Sequence, residues 1–208
     1  MDIEKFIKLR PHLYHLTDPI NYGSIMSELK LNSTTRLAEL VKMPGKTNYL
    51  RTRRIGHEQP VFSKGNFKFR PRDQDPLVTD RTILEGEMTF GDWVYLLNCR
   101  VFFWAKKNDL EKHYNRYKKL GQNPFVFRVS TRELFDLNTT PPMFCHLNSG
   151  APSHWTRGLP ARGQSTFLLA EDYSKSPSSV REVTFTHSCK LPKSLYLTQD
   201  LSNPFVKV

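Results

Sequence analysis

The sequence predicts an α+β protein folded as one domain over residues 1–208. Apolar residues recur at helical spacing in short segments, and these alternate irregularly with short strand-like runs, without the regular strand–helix–strand order of a parallel sheet. A chain of 208 residues can bury one sizeable core without disulfides or metals. An apolar content of 38%, with 12% aromatics, belongs to a folded protein rather than a disordered one.

The formal net charge of +11 excludes little but directs attention to polyanions: nucleic acid, anionic lipid or a phosphate-bearing cofactor. Cys99, Cys145 and Cys189 form no CxxC pair, so neither a zinc site nor a disulfide framework is expected, and a reducing, cytoplasmic setting is the simpler inference. No apolar run approaches the length of a membrane span, and the opening Met-Asp-Ile-Glu-Lys does not resemble a signal peptide, so no membrane association is expected.

In chain order, residues 2–9 read as a short helix stopped by Pro11. A strand follows in which His15 and Thr17, two apart, share a face and present an imidazole beside a hydroxyl. Core histidine and turn threonine is the plainer interpretation of that pair. Asp18 is placed as a helix cap with Pro19 at the first helical position, and Tyr22, Ile25, Met26 and Leu29 form the buried stripe. Residues 33–40 give a second helix, capped by Ser33 or Thr34 and broken at Pro44-Gly45.

Residues 50–81 are dense in charge, with Phe62, Phe67 and Phe69 interleaved. Aromatics among cations can stack on bases while the cations hold phosphates. The same residues also fit a hairpin turning at Lys64-Gly65-Asn66 with one apolar face. Arg72, Asp73, Gln74 and Asp75 form a concentrated polar loop able to line a site.

Thr89 and Asp92 carry a capping-box signature before Trp93, Leu96 and Leu97. Residues 98–104 lead into a strand buried on both faces. Asn108 is the expected cap of a helix whose stripe is Leu110, His113, Tyr114 and Tyr117, with His113 assigned to packing and Gly121 ending it. Residues 125–129 form a strand, and Ser130 with Glu133 a second capping box opening a helix to Leu137. Residues 138–165 are irregular, with Pro141, Pro142, Pro152 and Pro160 and the pairs Arg157-Gly158 and Arg162-Gly163; so long a stretch is usually functional or mobile. Residues 166–169 read as a strand and 174–179 as a loop. Residues 180–186 alternate, placing Val183 and Phe185 on one face and Glu182 and Thr184 on the other, where a solvated strand face is the plain expectation.

No P-loop, GxGxxG, HExxH or GxSxG is present, which disfavours the chemistries those motifs carry. The segments Tyr14-His-Leu-Thr17, Leu97-Asn-Cys-Arg-Val-Phe-Phe-Trp104, Asn148-Ser-Gly150 and Arg162-Gly-Gln-Ser-Thr-Phe167 together resemble a bacterial family of unknown function over nearly the whole chain. More distantly, the order of features resembles the ADP-ribosyltransferase superfamily, in particular its DarT-type DNA-modifying enzymes. That resemblance implies a split β-sheet core with short flanking helices and an NAD-dependent transfer of ADP-ribose to DNA or RNA. It also implies a toxin or phage-defence role with a neutralising antitoxin.

On the same resemblance Glu182 is the catalytic carboxylate. His15 and Thr17 bind NAD, Arg54 or Arg51 is the catalytic or pyrophosphate-binding arginine, and Tyr14 and Trp104 are weaker stacking residues. The residue types suit the chemistry. Cleaving the nicotinamide–ribose bond develops positive charge at the anomeric carbon, which a carboxylate stabilises, while arginine pairs with phosphate through a bidentate fork. A non-catalytic nucleic-acid-binding module, and a transferase or NAD glycohydrolase acting on protein or on NAD alone, are the competing functions.

Overall fold

The computed structural model describes residues 1–152 and 160–208. Its centre is a seven-stranded, wholly antiparallel sheet in the order β11-β10-β6-β1-β5-β8-β7. The strands are β1 (His12–Thr17), β5 (Arg100–Trp104), β6 (Phe125–Ser130), β7 (Met143–Cys145), β8 (Glu182–Thr186), β10 (Tyr196–Thr198) and β11 (Val206–Lys207). Two small ladders flank it: β2 (Lys30–Asn32) with β9 (Ser188–Lys190), and the hairpin β3 (Phe62–Lys64) with β4 (Phe67–Phe69). The α+β expectation holds. Antiparallel pairing explains why no crossover rhythm exists in the sequence.

Both faces of the sheet are covered. On one, Leu13, Phe103, Phe127, Val129, Val183 and Phe185 pack under α1 (Ile3–Leu9), α2 (Tyr22–Glu28) and α7 (Thr131–Leu137), whose Phe6, Ile25 and Leu134 join the same cluster. On the other, Trp93, Val94 and Leu97 of α5 (Phe90–Asn98) pack with Phe102 and Phe167. Leu110, Tyr114 and Tyr117 of α6 (Lys107–Lys119) cover Leu16 and Val126 on that side. Strand alternation therefore sends β8's apolar residues to one core. Glu182 and Thr184, expected on a solvated face, are instead only 3% and 0% exposed, because α5 and the loops around it cover that face.

Local signals account for the helix ends. Asp2 caps α1 and Ser33 caps α3 (Thr34–Leu40), and Thr89 and Asp92 form the reciprocal capping box of α5. Asp18 caps a 3-10 turn, Pro19–Asn21, that feeds α2. Leu29 does not extend the apolar stripe; it ends α2 in the left-handed region at φ 44°.

Four further expectations are corrected. Asn108 lies inside α6, which starts at Lys107 with no side-chain cap. In the second capping box only Ser130 caps; Glu133 bonds the Ser194 hydroxyl instead. Residues 166–169 are not a strand: a 3-10 turn, Gln164–Thr166, precedes one isolated bridge between Leu168 and Phe144. The irregular stretch contains β7, and its Arg157-Gly158 pair lies outside the described residues.

The 62–69 segment is the hairpin with one apolar face. Phe62 and Phe69 stack at 5.2 Å, Phe69 is buried, and the cluster is completed by Ala38 and Met43 of the α3 region and by Leu50 of α4 (Lys46–Arg51).

Candidate functional site

Strand β1 is joined to its two neighbours unequally. Six register pairs link it to β6, from His12↔Ser130 to Thr17↔Phe125. A single pair, Tyr14↔Trp104, links it to β5. Beyond that pair the strands part, and a cleft of about 290 Å³ opens between them, near the lower end of the range of small-molecule sites.

Backbone groups released by the split must find other partners. The Nδ1–H of His15 donates to the Phe102 carbonyl at 2.8 Å, which leaves Nε2 as an acceptor. Arg72 Nη2 donates to the Thr17 carbonyl at 2.8 Å. The Thr17 hydroxyl accepts from Asn21 Nδ2 at 2.9 Å. Asn21 in turn brackets the backbone of Arg70, donating to its carbonyl at 3.0 Å and accepting from its N–H at 2.7 Å. This ties the segment after β4 across the mouth of the split. Burial pushes the His15 pKa down to about 4, so the ring is neutral at physiological pH.

Glu182 opens β8 opposite Trp104, and its carboxylate accepts the Ser149 N–H at 3.1 and 3.3 Å. Its sequence neighbour Arg181 is held away in a bidentate pair with Asp109, at 3.0 and 2.6 Å. Burial therefore prevails over the Ser149 hydrogen bond and raises the Glu182 pKa to about 7.

Arg54 is also buried, at 8% exposure. Its Nε donates to the Arg72 carbonyl at 2.8 Å and its Nη1 to Asn98 Oδ1 at 2.9 Å. These acceptors are neutral, and burial lowers its pKa. The Arg72 guanidinium sits over the Tyr117 ring, 4.2 Å from its centroid, and burial lowers its pKa too. Asp73 beside it is already engaged by Arg116 at 2.7 Å. The site is thus rich in guanidinium and poor in free carboxylate, a composition that suits an anionic ligand.

His15, Thr17, Arg54, Trp104 and Glu182 all line this one cleft, although they come from four widely separated segments. Arg51 does not: it lies on the surface in an ion pair with Asp92 and over the Tyr95 ring. Tyr14 packs instead against Phe205 on the α6 side. The tetrad loop lines the cleft with Arg72, Asp73 and Gln74, as its polarity suggests. His113 also lines it, between Trp104 and Tyr117, so packing and cleft lining coincide there.

Two contributors had weak sequence signals. Ser149 acts through its backbone, which leaves no side-chain signature. Arg100 is a lone cation inside an apolar run, legible only once β5 is known to be central. Among the described residues no cluster of His, Cys, Asp and Glu is arranged to hold a metal, the three cysteines are free, and no helix is long and apolar enough to cross a membrane.

No curated protein and no solved structure matches the chain. A family model does match, over residues 11–195, and that span contains every cleft residue named above: the chain belongs to DUF7002, a family of unknown function.

Proposed function

We propose that this protein is an NAD-dependent ADP-ribosyltransferase whose acceptor is nucleic acid. The observation that carries the reading is Glu182: a buried carboxylate, fixed by a backbone N–H, at the wall of a cleft whose other charged groups are mostly arginine. A carboxylate so placed stabilises positive charge developing at an anomeric carbon as the nicotinamide nitrogen leaves with the bonding pair. It then takes the proton from the incoming acceptor as the new glycosidic bond forms. With its pKa raised to about 7 by burial, it is balanced between the two forms at neutral pH. A cationic nicotinamide ring nearby favours the ionised one.

The other residues suit the remaining parts of NAD. His15 Nε2 and the Thr17 hydroxyl are fit to meet ribose hydroxyls, Arg54 a phosphate, and Trp104 a planar ring. The weak pairing of β1 with β5, a single register pair against six with β6, supports the split core that the resemblance implies. The net charge of +11 supports a polyanionic acceptor. A toxic or phage-defence role, with a neutralising partner, fits such an activity. The non-catalytic binding module has less support, since Phe62 and Phe69 pack on each other and on the α3–α4 region rather than facing outward as a stacking platform.

The test is nicotinamide release from NAD by the purified protein, with and without single-stranded DNA and RNA, beside Glu182→Ala and Glu182→Gln. Release that requires nucleic acid and disappears in both variants supports the reading. Release without nucleic acid moves it to an NAD glycohydrolase or a protein-directed transferase. No release by folded protein under any condition rejects it.

A further inference from the structure

Arg100 is the first residue of β5, in the middle of the sheet, and is only 8% exposed. It lines the cleft. Its Nη1 reaches only the Thr184 hydroxyl, at 3.3 Å, and the Met143 sulfur, at 3.1 Å, and its Nε has no partner among the described residues. The guanidinium carbon sits over Phe167, 4.1 Å from the ring centroid. Among the described residues it forms no ion pair, unlike Arg116 and Arg181, which are each matched to aspartate. A buried guanidinium without a counter-charge is expensive for a fold to keep. Burial lowers its pKa to about 10, which still leaves it charged at neutral pH.

The register sets how far an anion held by Arg100 lies from Glu182. Arg100, Phe102 and Trp104 point to the same side of β5, and Glu182 and Thr184 lie on that side of β8. Thr184 is two residues along the strand from Glu182, so the Arg100–Thr184 pair sits about 7 Å from the carboxylate end. That separation is comparable with the span from the anomeric carbon of a ribose to its 5′-phosphate.

We propose that Arg100, its guanidinium held by the Thr184 hydroxyl, forms an anion subsite that takes a phosphate of a nucleotide whose ribose lies against Glu182. The placement of the ribose rests on the transferase reading; the phosphate subsite does not. Two sources share the chemistry, the pyrophosphate of NAD and a phosphate of the acceptor strand.

Calorimetric titration of wild type, Arg100→Met and Arg100→Lys with ADP-ribose and with a 5′-phosphorylated thymidine dinucleotide separates them. Thermal denaturation with and without inorganic pyrophosphate runs beside it. The expected result is a weakening of about ten- to hundredfold in Arg100→Met for one of the two ligands, the loss of a charge-assisted bidentate contact. Arg100→Lys retains part of the affinity, and pyrophosphate raises the melting temperature of wild type but not of Arg100→Met. The ligand that weakens identifies the source.

Equal affinities of wild type and Arg100→Met for both ligands overturn the proposal. So does an Arg100→Met protein that melts much lower without ligand yet is stabilised by pyrophosphate as much as wild type, since that marks a purely structural arginine. None of these measurements depends on turnover, so a failure to release nicotinamide leaves them informative.

Discussion

The two seams of β1 make a controlled comparison within one strand. Along β6 it forms a full ladder of six pairs, where Phe127 and Val129 are wholly buried. Along β5 it forms one pair, after which the Phe102 and Thr17 carbonyls are met by the His15 and Arg72 side chains. The closed seam converts sequence into stability. The open seam gives up ladder hydrogen bonds and gains a lined cavity, replacing backbone partners with side chains that can also face a ligand. The difference teaches that a site can be made by stopping a ladder early, provided each released carbonyl is given a donor.

Substitutions on the two seams should therefore fail in different ways. Phe127→Ala, on the closed seam, should lower the unfolding free energy by about 3–5 kcal/mol, read by urea denaturation. Glu182→Gln, facing the open seam, should do the opposite above neutral pH. The folded-state pKa of Glu182, about 7, lies above the 4.5 of the unfolded chain. The folded protein thus holds the extra proton between those values, and the carboxyl's contribution is complete below pH 4.5 and lost as the pH rises through 7. Glutamine, which cannot ionise but still accepts from Ser149, should exceed wild type by roughly 3 kcal/mol at pH 8 and match it near pH 4. A variant that is equally destabilised at both pH values would mean that the carboxylate is a structural partner rather than a desolvated one.

The histidines titrate the other way. Burial first, then Arg72 and Arg116, hold the His113 pKa near 4, below the 6.5 of the unfolded chain. The unfolded chain takes up the proton in that window, so stability should fall as the pH drops from 6.5 toward 4. His113→Phe should flatten this acid limb by about 2 kcal/mol, read as melting temperature against pH. The smallest effect belongs to Thr17→Val, which removes only the hydroxyl that accepts from Asn21. About 1 kcal/mol of stability should go, and proteolysis of residues 67–76 should speed up as their tether to β1 loosens.

Much of this was legible in the sequence where one residue type has one local use. Ser33, Thr89 and Asp18 cap because their oxygens reach free N–H groups nearby. Gly65-Asn66 turns the hairpin because the glycine adopts φ 56°. The alternation of residues 180–186 correctly separated Glu182 from the core face, yet could not reveal that the second face is covered as well, since that depends on α5. Strands β2, β7, β9 and β10, of three residues each, were not foreseen. So short a strand has no periodicity of its own and exists because a partner is present. Of the residues named on the resemblance, His15, Thr17, Arg54, Trp104 and Glu182 line the cleft. Arg51 and Tyr14, named on the same resemblance, lie outside the cleft because side-chain direction is decided by neighbours, Asp92 and Phe205, distant in the chain.

The pairing of β1 also governs how the molecule reaches this state. Its partners follow it by about a hundred residues, at Trp104 and at residues 125–130, so the strand at the centre of the sheet has no neighbour to pair with until much of the chain has collapsed around it. Such high contact order places folding in the slow, millisecond-to-second range of single domains, because loop closure precedes any reward from pairing. The cleft, whose walls meet only at one bridge pair, then forms together with the global fold rather than ahead of it, and a partly folded chain would carry no assembled site.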